Sequence, residues 1–509
     1  MRTMYERTEG SHAVVVGAGI AGLLAASVLC EVYAQVTVYD RDTLPDAPAA
    51  RPCVPQSRQA HGLHARGVSA LDELLPGFRG EMLAAGGVAG DVLADINWYL
   101  DGHLARHAPA GLRGIGMTRR GLERMIRSRV EKLPNVKIAA RRAVDGLVVE
   151  GDRVAGVCLR PDLRPDPASL PAPGPAQVVM ADLVVDAAGR GSRAPAWLAE
   201  LGYPQPRESR LRVDLVYVTR HYRRLPGQLD GITGVAVVPY PGHRRGAALI
   251  GQEGNQWVLT LAGMLGEDPP TDDAGMLAYA DSLVGPEIAS VMRASDPLDS
   301  PAKMRFPASV RRHYEKLGRM PSGLIVMGDA LCSLNPVYAQ GMTVTALQAL
   351  ALRKALADSG LASGGRAAGG IRLTGTGRAG AGQLGKRFFR AADKLVSAAW
   401  DMSVAGDLRF SEVEGKRGLA DRLINAYQAR LRVATSADPA VGRVFVRVAN
   451  MVDPPSRLLS PATMARVFLA GGRRAAAGQL PRPVPGRFPP ATRAYSCQLV
   501  PVRRSYTST

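Results

Sequence analysis

Residues 13–29, AVVVGAGIAGLLAASVL, form an uncharged and almost wholly apolar run close to the start of the chain. Such a run can cross a membrane, serve as the core of a secretory leader, or open a nucleotide-binding fold as strand, turn and helix. A spanning helix needs about 20 apolar residues, more than this run supplies. For a leader, Arg2 and Arg7 precede the run and Cys30 follows it, but Leu29 stands where a cleavage site requires a small side chain. Neither reading accounts for the glycines. Gly17, Gly19 and Gly22 keep G-x-G-x-x-G spacing behind a valine-rich strand over 13–16, and VTVYD then supplies a second strand ending in Asp40. This pattern predicts a βαβ unit. Absent side chains let the backbone approach a pyrophosphate, the helix N-terminus offers free N–H groups and positive potential, and the acid meets a ribose hydroxyl.

A chain of 509 residues exceeds what one core serves and predicts two or three lobes. At 46% hydrophobic and 21% charged it has the composition of a soluble globular protein. The net charge of +19 is carried almost wholly by scattered arginine, without a dense run or interleaved aromatics, so no nucleic-acid partner is expected. Five cysteines, at 30, 53, 158, 332 and 497, form no C-x-x-C pair. That argues against a disulfide framework or zinc site and for a reducing, cytoplasmic compartment.

Helical patterns are expected over 59–75 and 119–132, the latter with Leu122, Ile126 and Val130 on one face. Strands follow in VKIAA, VDGLVVEGDRVAGVCLR and ADLVVDAAG. In the middle third the period changes, and LRVDLVYVTRHYRR, TGVAVVP, RRGAALIG and QWVLTLAG read as an antiparallel second lobe inserted into the first. Strand, turn and long helix return at GLIVMGDALCSLNPVYAQGMTVTALQALALRKAL. From 388 to 469 the pattern is helical, with Leu423, Ile424, Tyr427 and Leu431 as a buried stripe. The Gly/Ala/Arg-rich residues 359–385 and the Pro/Arg-rich tail beyond Ala470 are expected not to fold.

A lone glycine fingerprint says little, but two further strand ends agree with it. LVVDAAGRGSR ends a strand in small residues around Gly189, as backbone beside a cofactor requires. GLIVMGDA ends another with Asp329, whose carboxylate can accept from a ribityl hydroxyl, although an Asp there could equally cap the following helix. NPVYAQGM then leads to a helix whose N-terminus, after Gly341, can face a flavin carbonyl.

The combination of G-x-G-x-x-G, D-A-x-G and G-D resembles the single-component FAD-dependent monooxygenases, the group of aromatic hydroxylases and squalene epoxidase. VPQSRQAH, ADLVVDAAGRGSR, VYVTRHYRR and GLIVMGDALCSLNPVYAQGM are similar to bacterial natural-product flavin epoxidases and hydroxylases such as polyether polyene epoxidases. The resemblance implies an α/β fold: a Rossmann-like FAD-binding domain in three pieces (12–90, 119–200, 311–358) and an antiparallel substrate domain (91–118 and 201–310). Beyond these lie a flexible insertion (359–385), a helical region (386–470) and a disordered basic tail (471–509). It places Gly17, Gly19, Gly22 and Gly189 against the cofactor, Asp40 and Arg41 by the adenosine ribose, Arg119 and Arg58 near the flavin, Asp329 on the ribityl chain, and Pro336, Gly341 and Met342 under the ring.

Ala188 and Ala339 depart from that pattern, standing where relatives carry Thr and mostly Gly; a positive φ at 339 would cost Ala about 1 kcal/mol. The resemblance further implies FAD, NAD(P)H or a partner flavin reductase as electron source, O₂, and an apolar small-molecule substrate oxygenated through a flavin C4a-hydroperoxide. No amino-acid nucleophile is then required. His61 and His64 read as packing or flavin-edge contacts rather than as an acid–base pair or metal ligands, because no third ligand is in view. A flavin reductase of isoprenoid double bonds and a non-catalytic flavin-fold protein are the competing readings. A halogenase lacks its W-x-W-x-I-P signature here.

Overall fold

The computed structural model describes residues 5–6, 11–49, 51, 54–160, 177–360, 375–415 and 417–476. At its centre is a five-stranded parallel sheet in the order Leu324–Val326, Leu183–Asp186, His12–Val16, Gln35–Tyr39, Val136–Ala139. Its strands Leu324–Val326, Leu183–Asp186 and His12–Val16 are buried along their whole length, as parallel strands covered by helices must be, while the edge strand Val136–Ala139 is part exposed. The opening run is therefore strand His12–Val16 followed by helix Ile20–Leu29, and all but one of that helix's residues are buried. Helix Arg119–Glu131, capped by the Thr118 hydroxyl accepting from the Gly121 amide, buries Leu122, Ile126 and Val130 as its period predicts.

The second lobe is an eight-stranded sheet: Cys332–Ser333, Ala302–Arg312, Glu208–Arg223, Gln256–Gly263, Arg245–Gln252, Gly234–Val237, Ile96–Leu100, His103–Leu104. It is antiparallel except where Gly234–Val237 runs parallel to Ile96–Leu100. Short helices Asp273–Asp281 and Glu287–Ala294 cover one face around the fully buried Trp257. The architecture is thus a Rossmann-like α/β domain with an inserted, largely antiparallel sheet and helices at its C-terminal end. Among the described residues no helix is long and apolar enough to cross a membrane.

Several local expectations change. The helix expected from residue 59 starts at Ala65; a 3₁₀ turn Pro55–Arg58 and a short strand Gly62–Leu63 come first, because that strand pairs with Arg113–Gly116. Of the stretch 359–385, residues 361–374 lie outside the described residues, whereas helix Gly375–Asp407 already begins within it. The tail 477–509 is likewise outside them, and helix Pro461–Ala476 runs past Ala470. In helix Leu419–Ala434, Tyr427 and Leu431 are buried, but Leu423 is 66% exposed and Ile424 39%. The buried face follows Pro461–Ala476, which packs only along the second half of that helix's stripe.

With every flavin motif upstream, the C-terminal helices look separable in sequence. Helix Gly375–Asp407 is instead part of the main core: Leu384, Phe388, Phe389, Ala392, Val396, Ala399 and Trp400 pack with the parallel sheet's helices. Phe388 is completely buried between them. Phe388→Ala is expected to cost about 3 to 5 kcal/mol in chemical denaturation. Leu423→Ala, on the exposed flank, should stay within about 0.5 kcal/mol of the parent.

Candidate cofactor and substrate site

The three fingerprint glycines do different work. Gly17 ends its strand at φ +100°, and a Cβ there would lie 2.7 Å from the Ala187 carbonyl oxygen. A Cβ on Gly22 would fall 1.7 Å from the Gly17 carbonyl oxygen, so only glycine lets the helix lie against the turn. Gly19, at the helix N-cap, has nothing within 4 Å of such an atom and faces the open cavity.

Asp40 is buried and lines that cavity, but its carboxylate is already engaged. Oδ2 accepts from the Ala18 amide at 2.6 Å and from Arg51 at 2.6 Å, and Oδ1 accepts from the Asp42 amide at 2.8 Å. Arg51 also donates to Glu123 at 2.6 Å and to the Ala18 carbonyl at 3.0 Å. Burial opposes its charge, yet the two carboxylates outweigh burial and raise its pKa. Sequence reasoning missed Arg51, which sits in a proline-rich loop without periodicity.

Arg119 lines the same cavity close to Glu123 and is an electrostatic neighbour of Asp329. Arg41 lines it from an exposed position. Arg58 does not line it: Gln56, in the four-residue 3₁₀ turn Pro55–Arg58, and Gln59 just after it line the cavity, and Arg58 is left exposed to solvent. The expectation of Arg58 beside the flavin is corrected accordingly.

At the second end, Asp186 is fully buried and accepts from the Ala188 amide at 2.9 Å and from the Ser192 hydroxyl, holding the turn in which Gly189 takes φ +73°. Gly328, at φ +65°, would place a Cβ 2.7 Å from the Ala21 methyl, and the next residue, Asp329, lines the cavity. Burial raises the Asp329 pKa, while Arg119 and Arg190 pull it down. Pro336, Gly341 and Met342 line the cavity beside it, Gly341 opening helix Gly341–Asp358. Ala339 occupies the left-handed region at φ +52°, ψ +21°, so the strain foreseen for alanine there is present.

One residue that sequence reasoning missed holds this loop. Asp407, fully buried at the end of helix Gly375–Asp407, accepts on Oδ1 from Asn335 and from Tyr338, each at 2.9 Å. Its Oδ2 has no hydrogen-bond partner among the described residues, and burial pushes its pKa up to about 7. An acid at the end of a helical stretch carries no sequence signal that it will meet a loop some 70 residues upstream.

The cavity measures about 1330 Å³ and joins both ends to an apolar compartment. Val235, Val237, Leu249 and Ile250 enter it from the large sheet, and Leu431, Phe445 and Val448 from the C-terminal helices. His61 and His64 line it as neutral imidazoles. Burial, then Arg119, pushes His61 down to about 3; burial alone pushes His64 down to about 4. The chain's residues fit an FAD: Gly19, Gly189 and Gly341 leave open space at the cavity wall, and His64 Nδ1 and Gln340 Oε1 are buried polar atoms without hydrogen-bond partners among the described residues.

Fold and family together define a flavin-binding α/β protein with a capped apolar compartment. Residues 11–367 match the family described as FAD binding domain, and the chain belongs to that family. It is 35% identical over 467 residues to Protein Rv3254 of Mycobacterium tuberculosis (strain ATCC 25618 / H37Rv), covering 87% of this chain and 90% of the relative. Among solved structures, the flavin-dependent brominase Bmp2 superposes with a TM-score of 0.60 at 15% identity, covering 92% of this chain and all of that one. The p-nitrophenol 4-monooxygenase PnpA from Pseudomonas putida DLL-E4 does so at 0.56 and 16%, covering 86% and 98%. At these identities the likeness is one of fold, and it agrees with the aromatic-hydroxylase-like family recognised from the motifs.

Ala339→Gly should stabilise the protein by about 0.5 to 1 kcal/mol, measured by denaturation, because glycine carries no steric penalty at positive φ. Asp407 predicts a pH effect. Its folded pKa lies above the unfolded value near 4, so its contribution is intact below pH about 4 and is lost as pH rises through about 7. Asp407→Asn, which still accepts from Tyr338 and Asn335, should therefore gain thermal stability over the parent at pH 8 relative to pH 5. An unchanged difference between the two pH values would contradict the burial argument.

Proposed function

We propose that this protein is an FAD-dependent monooxygenase that inserts one oxygen atom of O₂ into an apolar small molecule, by epoxidation or hydroxylation. NAD(P)H, docking directly or acting through a partner flavin reductase, supplies the electrons. The observation that carries this reading is the single cavity running from the glycine turn, past Asp329 and Gly341, into the compartment under Leu431, Phe445 and Val448. Bound and reduced, FAD supplies the oxygen-activating chemistry.

The protein's own part is positioning and shielding. Gly17, Gly19 and Gly22 bring backbone to the pyrophosphate, and Asp40, braced by Arg51, stands where the adenosine ribose is expected. Asp329 accepts from a ribityl hydroxyl, and the N-terminus of helix Gly341–Asp358 stabilises negative charge on the ring. The apolar wall keeps water from the reaction, which favours oxygen transfer over loss as hydrogen peroxide. His61 and His64, neutral at physiological pH, act as uncharged walls or hydrogen-bond partners rather than as proton donors. Membership of the FAD binding domain family supports a flavin-dependent reaction.

The protein should purify yellow, with FAD released on denaturation. Asp329→Ala should weaken FAD binding by about 1.5 to 3 kcal/mol, the range for a hydrogen bond to a charged group. Incubation with NAD(P)H, a flavin reductase and panels of apolar alkenes and phenols under labelled O₂ should put one labelled atom into product. Double-bond reduction without label would replace this reading with the reductase one.

A further inference from the structure

One charge in the wall of the apolar compartment has no hydrogen-bonded counter-charge among the described residues. Arg432, on helix Leu419–Ala434, is 9% exposed and lines the cavity with Tyr338, Phe445 and Val448. Its guanidinium makes no hydrogen bond among the described residues. Its ion-pair contact is Asp101 Oδ1 at 3.7 Å, beyond hydrogen-bond reach. Asp101 is already gripped at both oxygens by Arg409, at 2.9 Å on Oδ1 and more closely on Oδ2.

The other acid near Arg432 is Asp407, whose Oδ1 serves Tyr338 and Asn335 and whose carboxyl ionises only near pH 7. Two buried guanidinium groups therefore face Asp101 and Asp407, and burial holds the Asp407 carboxyl toward its neutral form. Arg432 is one of the residues that line the cavity. A buried, under-compensated guanidinium is costly in an apolar wall, and its planar fork suits two oxygens of an anion.

We propose that Arg432 binds an anionic oxygen of the substrate, so that the molecule this cavity accepts is an apolar body carrying a carboxylate or an acidic phenol or enol. The proposal deepens the monooxygenase reading by naming the substrate class, but the binding it predicts needs no turnover. A bound anion would supply the missing counter-charge, and Leu431, Phe445 and Val448 would cover the apolar body. Tyr338 places this anchor beside the loop that Asp407 holds.

The test is equilibrium binding to oxidised, FAD-loaded protein without reductant. The probes are 2-naphthoate against 2-naphthamide, and 2,4-dinitro-1-naphthol against its methyl ether. At least one anion should bind about tenfold or more tightly than its neutral partner, and which one does distinguishes carboxylate from phenolate recognition. Arg432→Gln should lose about ten- to a hundredfold for that anion and little for the neutral compound. Should the glutamine variant fail to keep FAD, Arg432→Lys serves instead: charge without the fork should lower carboxylate affinity and spare the amide. Equal binding of anion and neutral partner in both pairs, or an undiminished preference in the variants, overturns the proposal. Anion binding by a protein that never incorporates oxygen would leave it standing and remove the monooxygenase reading.

Discussion

The contact on which the rest of the site depends is backbone against backbone: helix Ile20–Leu29 rests on the turn that leaves strand His12–Val16, with Gly22 over the Gly17 carbonyl. No side chain fits between them. That closeness sets the direction of the helix N-terminus and leaves the wall open at Gly19. On the opposite side the same turn meets Ala187, so the second strand end is registered against the first through main-chain atoms. A turn built this way cannot relax by changing rotamers, because its contacts are main-chain.

Around this frame the charges are shared out unevenly. At the adenosine end Arg51 sits between Asp40 and Glu123 at hydrogen-bond distance, with Asp42 at 3.4 Å, so acids outnumber the base. Near Asp329 stand Arg119 and Arg190, with Arg119 also close to Glu123. At the substrate end Arg432 and Arg409 face Asp101 and a partly protonated Asp407. Positive charge thus stands beside Asp329 and again in the wall of the apolar compartment.

The C-terminal helices do more than cap the cavity. Through Phe388, Phe389 and Trp400 they complete the core of the nucleotide-binding domain, and through Asp407 they hold the loop carrying Tyr338 and Ala339. The strained alanine and the unpaired carboxylate oxygen lie at the two ends of one short connection. Local strain of this kind persists when the surrounding packing determines it, and here that packing comes from a helix far along the chain.

Much was legible in the sequence wherever chemistry is local. Glycine spacing after a valine run can satisfy its backbone in few ways, so Gly17, Gly19, Gly22, the strand end at Gly189 and the G-D turn at Asp329 announce the α/β fold and its nucleotide end. Alternation in the middle third announced the antiparallel lobe, and Ala339 announced strain. What depended on which distant segments meet was not legible. Arg58 turns outward because a 3₁₀ turn has two sides, and Leu423 is exposed because its neighbour helix packs only farther along. Arg51, Asp407 and Arg432 acquire their roles from partners up to about 330 residues away. Periodicity and spacing report backbone geometry, which the chain settles locally. Whether a buried charge finds a counter-charge is settled only when the whole tertiary structure closes around it, and there the identity of the site's ligand is decided.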